Sequence, residues 1–137
     1  MNLFEKKIDE AAALLKSSRF TSAFTGAGIS VESGISPFRG EGGLWNKYDP
    51  ILFDINYFQQ YPEKSWVVIK EIFYDDFAIA KPNTAHYILA KMEANNLLNA
   101  VITQNIDHLH QDAGSKTVFE FHGNSRQLIS MDTGKVY

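Results

Sequence analysis

Residues 20–45 read FTSAFTGAGISVESGISPFRGEGGLW, and the class of fold turns on how this stretch is understood. Phe20 to Thr25 reads as a short strand, which runs directly into Gly26-Ala27-Gly28-Ile29-Ser30. A strand feeding a glycine-rich turn is the order that a dinucleotide site requires. A diphosphate needs backbone N–H groups at close range, and glycine allows both the positive φ values and the missing side chain that such an approach demands. The third glycine stands at position 34 instead of 31, so the spacing departs from the common G-x-G-x-x-G. On these residues alone, an ordinary turn is an equal reading.

Outward from that loop, the chain alternates between strand and helix patterns. Phe4, Ile8, Ala11, Ala12 and Leu15 recur at helical spacing, which predicts an amphipathic first helix with one face packed. Residues 30–61 carry Gly, Pro and aromatics without clear periodicity. A stretch of that length in a compact domain is usually a binding loop or lid. Residues 64–79 predict a half-buried helix. A second helix starts at Pro82-Asn83-Thr84, capped by Asn83 or Thr84, with Ala85, Ile88, Leu89 and Met92 on its buried face. Residues 99–103 (NAVIT), 117–121 (TVFEF) and 127–131 (QLISM) predict three further strands, and Asp107 to Ala113 one or two helical turns stopped by Gly114. Strands alternating with helices predict a parallel α/β sheet.

Polar groups gather where these strands end. Thr103-Gln104-Asn105-Ile106-Asp107 follows the second strand, and His122 follows the third within FEFHGN. Ligands of open α/β sheets bind beyond the carboxyl ends of the strands, so these side chains face the crevice that holds the glycine loop. The plain alternative for Asp107 is a helix cap, and for a lone histidine at a strand end a structural role.

Composition narrows the classes. Hydrophobic residues make up 45% and charged residues 21%, close to globular averages, so wholesale disorder is not expected. The formal charge of 13 − 16 = −3, without a run of Lys or Arg, argues against nucleic acid as a partner. No apolar stretch approaches the roughly 20 residues that span a bilayer. The first eighteen residues carry acids and a helical period instead of a signal-peptide profile, so the expected location is cytoplasmic. Absence of cysteine excludes disulfides, thiolate metal sites and cysteine nucleophiles within these residues.

Taken together, GAGISVESGISPFRGEGGLW, ITQNID-x-LHQ-x-AG and E-x-HGN resemble, in order, the three signatures of the sirtuins. The resemblance implies an NAD-dependent protein-lysine deacylase, and a Rossmann-like parallel sheet with flanking helices and a long cofactor-binding loop. It covers nearly the whole chain, 1–137, but about half of a family member: the N-terminal part of the catalytic domain, an incomplete sheet. By that resemblance Gly26, Ala27, Gly28 and Ser30 hold the NAD diphosphate, and Phe38 and Arg39 lie over the nicotinamide ribose. Gln104, Asn105 and Asp107 line the nicotinamide and ribose pocket, and His122 is the general base, an imidazole being suited to proton transfer near neutral pH. Asn105 orients the ribose and a water. Pro82, Asn83, Ala85 and His86 match a family helix start with a structural role, as does His110.

The departures carry expectations too. Ser36 and Pro37 displace a family proline by one position, and His108 stands where the family has Gly. Residues 125–137 correspond to the start of a zinc ribbon, but Ser130 and Thr133 occupy the places of its first cysteine pair, so zinc is not expected. Phe77 stands where an acid-selective member would carry Arg, which favours a neutral acyl group such as acetyl. The expected partner is an acyl-lysine protein or peptide, with neither nucleic acid nor membrane. Exposed sheet edges and faces suggest self-association or a missing C-terminal half. Two alternatives stay open: an NAD-hydrolysing domain, and an inactive NAD- or ADP-ribose-binding remnant.

Overall fold

The structure is a computed structural model that describes residues 2–137, apart from the side chain of Asp76. At its centre lies a three-stranded parallel sheet of β1 (Ser22–Thr25), β2 (Ala100–Thr103) and β3 (Val118–Glu120), in that spatial order. The expected parallel α/β sheet is therefore present. Thr25, Thr103 and Glu120 are level in the register, so the strands finish together at one edge, where the polar loops begin. Asn99 aligns the start of β2 with the chain before β1: its side-chain oxygen accepts from Thr21 N at 2.8 Å, and its N–H donates to Thr21 O at 2.8 Å.

Among the described residues five α-helices accompany the sheet: α1 (Leu3–Ser17), α2 (Ile55–Gln60), α3 (Pro62–Lys70), α4 (Thr84–Ala94) and α5 (Leu109–Asp112). Asn83 is the cap of α4. Its side chain accepts from Ala85 N, and the His86 ring accepts from Asn83 N, a reciprocal cap that turns His86 inward. That rotation corrects the expected buried face. Ala85 and Ile88 point outward, whereas His86 is fully buried with Leu89, Ala90, Met92 and Glu93 partly covered. Glu93 then clamps the start of β3 by accepting from Lys116 N and Thr117 N, each at 2.8 Å.

Three further expectations are corrected. The first helix forms, with a capping box between Asn2 and Glu5, but buries none of its residues; Phe4 is 71% and Ile8 52% exposed. Residues 30–61 are not a bare loop, because short 3₁₀ turns at Ala27–Ser33, Leu44–Asn46 and Pro50–Phe53 and the helix α2 fall in or across them. The expected fourth strand shrinks to a single antiparallel bridge between Ile129 and Val136. There, Leu128 and Tyr137 exchange both backbone bonds, so the ribbon closes on itself apart from the parallel sheet. The helix expected over 64–79 forms, but its bonding pattern widens to a π turn at Glu71–Asp76 before tightening at Phe77–Ile79.

The two faces of the sheet differ. Ala23, Thr25, Val101, Thr103, Val118 and Glu120 share one face, which α5 covers, and Val101 is fully buried there. On the other face Phe24, Ile102 and Phe119 form a cross-strand row, with Phe24 67% and Phe119 59% exposed.

Candidate functional site

Beyond the strand ends lies an open cavity of about 620 Å³. One wall is polar and comes from the loops after each strand: Ala27 and Ser30 after β1, Gln104, Asn105 and Asp107 after β2, and His122 after β3. The opposite wall is aromatic, made by Phe38, Trp45, Phe53, Phe73 and Phe77. Of the expected site residues, the cavity thus brings together Ala27, Ser30, Phe38, Gln104, Asn105, Asp107 and His122. Gly26 and Gly28 sit in the turn behind it, and Arg39 is exposed on the loop beyond Phe38.

The polar wall is held by a buried network. Ser30, fully buried, donates its hydroxyl to Asp107 Oδ2 at 2.6 Å. Asn105 Nδ2 donates to Ser30 Oγ and to the Gly26 carbonyl, both at 3.1 Å, which ties the glycine loop to the loop after β2. Asp107 Oδ1 also accepts from Leu109 N at 3.0 Å, the bond that the helix-cap reading expects, and the residue lines the cavity as well. Its carboxylate is 6% exposed and partnered at both oxygens. Gly26 faces Gln104: a Cβ there would lie 3.4 Å from Gln104 Nε2, in van der Waals contact.

Behind Asp107, α4 and α5 bury a pair of histidines, His86 and His110, with rings edge to face at 4.9 Å. His110 Nε2 meets Thr25 Oγ1 at 2.9 Å. Burial lowers the pKa of His86, against the opposing pull of Asp107. Burial first, and the neighbouring His86 second, push His110 down to about 4. Both rings are therefore neutral around pH 7 and lie outside the pocket lining, but they are not fully satisfied, since His86 Nε2 and His110 Nδ1 are buried without a hydrogen-bond partner among the described residues.

The aromatic wall was not assigned from the sequence, apart from Phe38. Its signal was the density of rings between Phe38 and Phe77, but which of them face the pocket depends on turns without a periodic pattern. Phe38 packs on Trp45 at 5.2 Å and on Phe73 at 6.5 Å, and Phe53 bridges Trp45 and Phe73 at 5.1 and 5.9 Å. Two backbone bonds, Leu44 N to Pro37 O at 2.8 Å and Trp45 N to Phe38 O at 3.0 Å, close the intervening loop into a ring. Inside that ring Gly43 has no room for a side chain, because a Cβ would lie 2.8 Å from the Arg39 carbonyl carbon. Farther along, Tyr48 donates to Glu71 Oε1 at 2.6 Å, with Lys47 Nζ at 3.0 Å from the same oxygen, which fastens the loop to the π turn.

Ser130 and Thr133 lie in the terminal ribbon, where Thr133 N donates to Ser130 Oγ at 3.3 Å. Among the described residues no helix is long and apolar enough to cross a membrane.

Known proteins with this arrangement are numerous and concordant. Residues 26–137 match a family described as the Sir2 family. An NAD-dependent protein deacetylase of Thermotoga maritima is 48% identical over 131 residues, which is 96% of this chain and 53% of that protein. An NAD-dependent protein deacylase 2 of Archaeoglobus fulgidus is 47% identical over 134 residues, 97% of this chain and 52% of the relative. Among solved structures, a Sir2 with a deacetylated p53 peptide and 3′-O-acetyl ADP ribose superimposes with a TM-score of 0.89 at 47% identity, covering 95% of this chain and 52% of that one. A Sir2 bound to an acetylated peptide gives a TM-score of 0.84 at 45% identity, covering 95% and 51%. The chain spans about half the length of the curated relatives it matches. With three signatures folded around one cavity and a family match from the glycine loop to Tyr137, the chain belongs to the Sir2 family.

Proposed function

We propose that this chain forms the nicotinamide-side half of a site that uses NAD to remove a neutral acyl group from lysine. The observation that carries the reading is the convergence of Asn105, Asp107 and His122 from two strand ends onto one cavity with Phe38 as its opposite wall. The residues fit the co-substrate. Gly26 and Gly28 leave the backbone of the Ala27–Ser33 turn approachable, and the first N–H groups of such a turn have no partner within it. When bound, NAD would supply the ribose carbon from which nicotinamide leaves and the ribose hydroxyl that, with one water consumed, ends up carrying the acyl group as an ester. The products are free lysine, nicotinamide and O-acyl-ADP-ribose.

The chain's own residues then have distinct tasks. Asp107, held by Ser30 and the Leu109 amide, presents a carboxylate to the nicotinamide amide. Asn105 is fixed by Gly26 O and Ser30 Oγ and orients the ribose, while its oxygen remains available to a water. Gln104 completes the polar wall, and Phe38 with Trp45 excludes solvent from the reacting carbon. His122 takes the proton from a ribose hydroxyl. Phe73 and Phe77 line the acyl end, and neither offers a cation to an acyl carboxylate, which supports acetyl and similar neutral groups.

The deciding measurement is nicotinamide release from NAD by the purified chain, with and without an acetyl-lysine peptide. Peptide-dependent release that His122→Ala abolishes is the expected result. Peptide-independent release would turn the reading to NAD hydrolysis. No release, together with no NAD-dependent rise in melting temperature, would remove both enzymatic readings.

A further inference from the structure

His122 stands in the pocket wall with its ring against Phe121 at 5.2 Å. No side chain among the described residues holds its imidazole by a hydrogen bond, so its aim is set by the backbone beneath it. That backbone is a tight turn: Gly123 N donates to Glu120 O at 3.1 Å, and Gly123 adopts φ +80, where a side chain would be strained. The first residue of this turn supplies a carboxylate at the centre of a network. Glu120 Oε2 accepts from Asn124 Nδ2 at 2.9 Å, just past the turn. Glu120 Oε1 accepts from Gln111 Nε2 on α5 at 2.8 Å and faces His108 Nδ1 at 3.4 Å.

His108 is held in the left-handed region at φ +66, a conformation that non-glycine residues seldom adopt. Its ring reaches the same carboxylate, which therefore gathers the loop after β2, the helix α5 and both ends of the His122 turn. Beyond it, Ser125 N and Oγ both donate to Ile106 O, at 3.0 and 2.8 Å, which ties the end of the turn to the loop that carries Asn105 and Asp107.

We propose that Glu120 is a positioning residue: its carboxylate fixes the Glu120–Gly123 turn, and with it the direction in which His122 points into the pocket. This rests on the role given to His122 above. A carboxylate suits the geometry: its two oxygens accept from Gln111 and Asn124 at once, whereas an amide at this place keeps one acceptor and needs the Gln111 side chain to turn over for the other bond. The effect of substitution is therefore graded, with Ala worse than Gln.

The test uses the ring signals of the histidines in a ¹H–¹³C spectrum of the purified chain, where only four occur. His122→Asn identifies the His122 signal by its loss. Glu120→Ala is expected to shift and broaden that signal, while the signals of buried His86 and His110 stay in place. With NAD and acetyl-lysine peptide, kcat is expected to fall about tenfold with little change in the KM for NAD, the size of loss that a small misplacement of a catalytic group causes. Glu120→Gln should restore part of both. An unmoved His122 signal in a folded Glu120→Ala variant would overturn the proposal, as would a Gln variant no better than Ala. If Glu120→Ala does not fold, Asn124→Ala and Glu120→Gln decide by the same signal. If the unmodified chain releases no nicotinamide, the proposed activity fails, yet the ring spectrum still decides whether Glu120 aims His122.

Discussion

Ser30 Oγ accepts from Asn105 Nδ2 and donates its hydroxyl to Asp107 Oδ2, so one hydroxyl joins the glycine loop to the loop after β2. Removing it leaves a buried carboxylate oxygen without its donor, and that loss costs roughly 1–3 kcal/mol. Ser30→Ala should lower the unfolding free energy by that amount in urea titrations at pH 7, and weaken NAD-dependent stabilisation as well. Unchanged unfolding would show that water satisfies Asp107 in place of Ser30. At this scale much was legible: Ser30, Asn105, Asp107 and His122 stand out because their side-chain types follow strand ends in a fixed order. What could not be read was the bond between residues 77 positions apart, since a strand pairing brings them together. Glu120 was visible only as a letter in E-x-HGN, because its role depends on α5 and Asn124 arriving on the same side.

Between elements, α4 and α5 meet through His86 and His110. The folded pKa of His110 lies at about 4, below the ordinary value of 6.5, so the unfolded chain binds a proton more readily. Its contribution is fully present above about pH 6.5 and is lost progressively as pH falls toward 4, where the folded form also takes the proton. A fall of this size amounts to about 3 kcal/mol, at roughly 1.4 kcal/mol per pKa unit. Unfolding free energy measured from pH 8 to pH 4 should decline through this window. His110→Gln, which keeps a partner for Thr25, should flatten the decline; an equal slope in both proteins would disprove the assignment. Element types were legible where periodicity was strong, as in α1, α4 and the three parallel strands. The π turn at Glu71–Asp76 was not, since a change in hydrogen-bond register leaves no mark in composition. The single bridge at Ile129 also escaped, because its partner is Val136 and not the sheet.

For the molecule as a whole, one face of the sheet presents the row Phe24, Ile102 and Phe119, whose two outer rings are more than half exposed. Parallel sheets are normally covered on both faces, and an exposed apolar row of this kind favours association. The chain as given should sediment as concentration-dependent oligomers. Phe24→Lys together with Phe119→Lys should return it to monomer with little loss of stability, because neither ring is buried. A monomeric unmodified chain across the micromolar range would contradict this. The parallel sheet and its shared polar edge follow from the sequence's alternation of elements, whereas the strand order and the exposure of one face could be seen only once the pairing and register were known. The loop between Pro37 and Trp45 is a braced frame: two backbone bonds tie Pro37 and Phe38 to Leu44 and Trp45, and Gly43 fits inside only without a side chain. Both rings of the aromatic wall, Phe38 and Trp45, therefore stand on one support, and a side chain introduced at Gly43 is expected to displace them together.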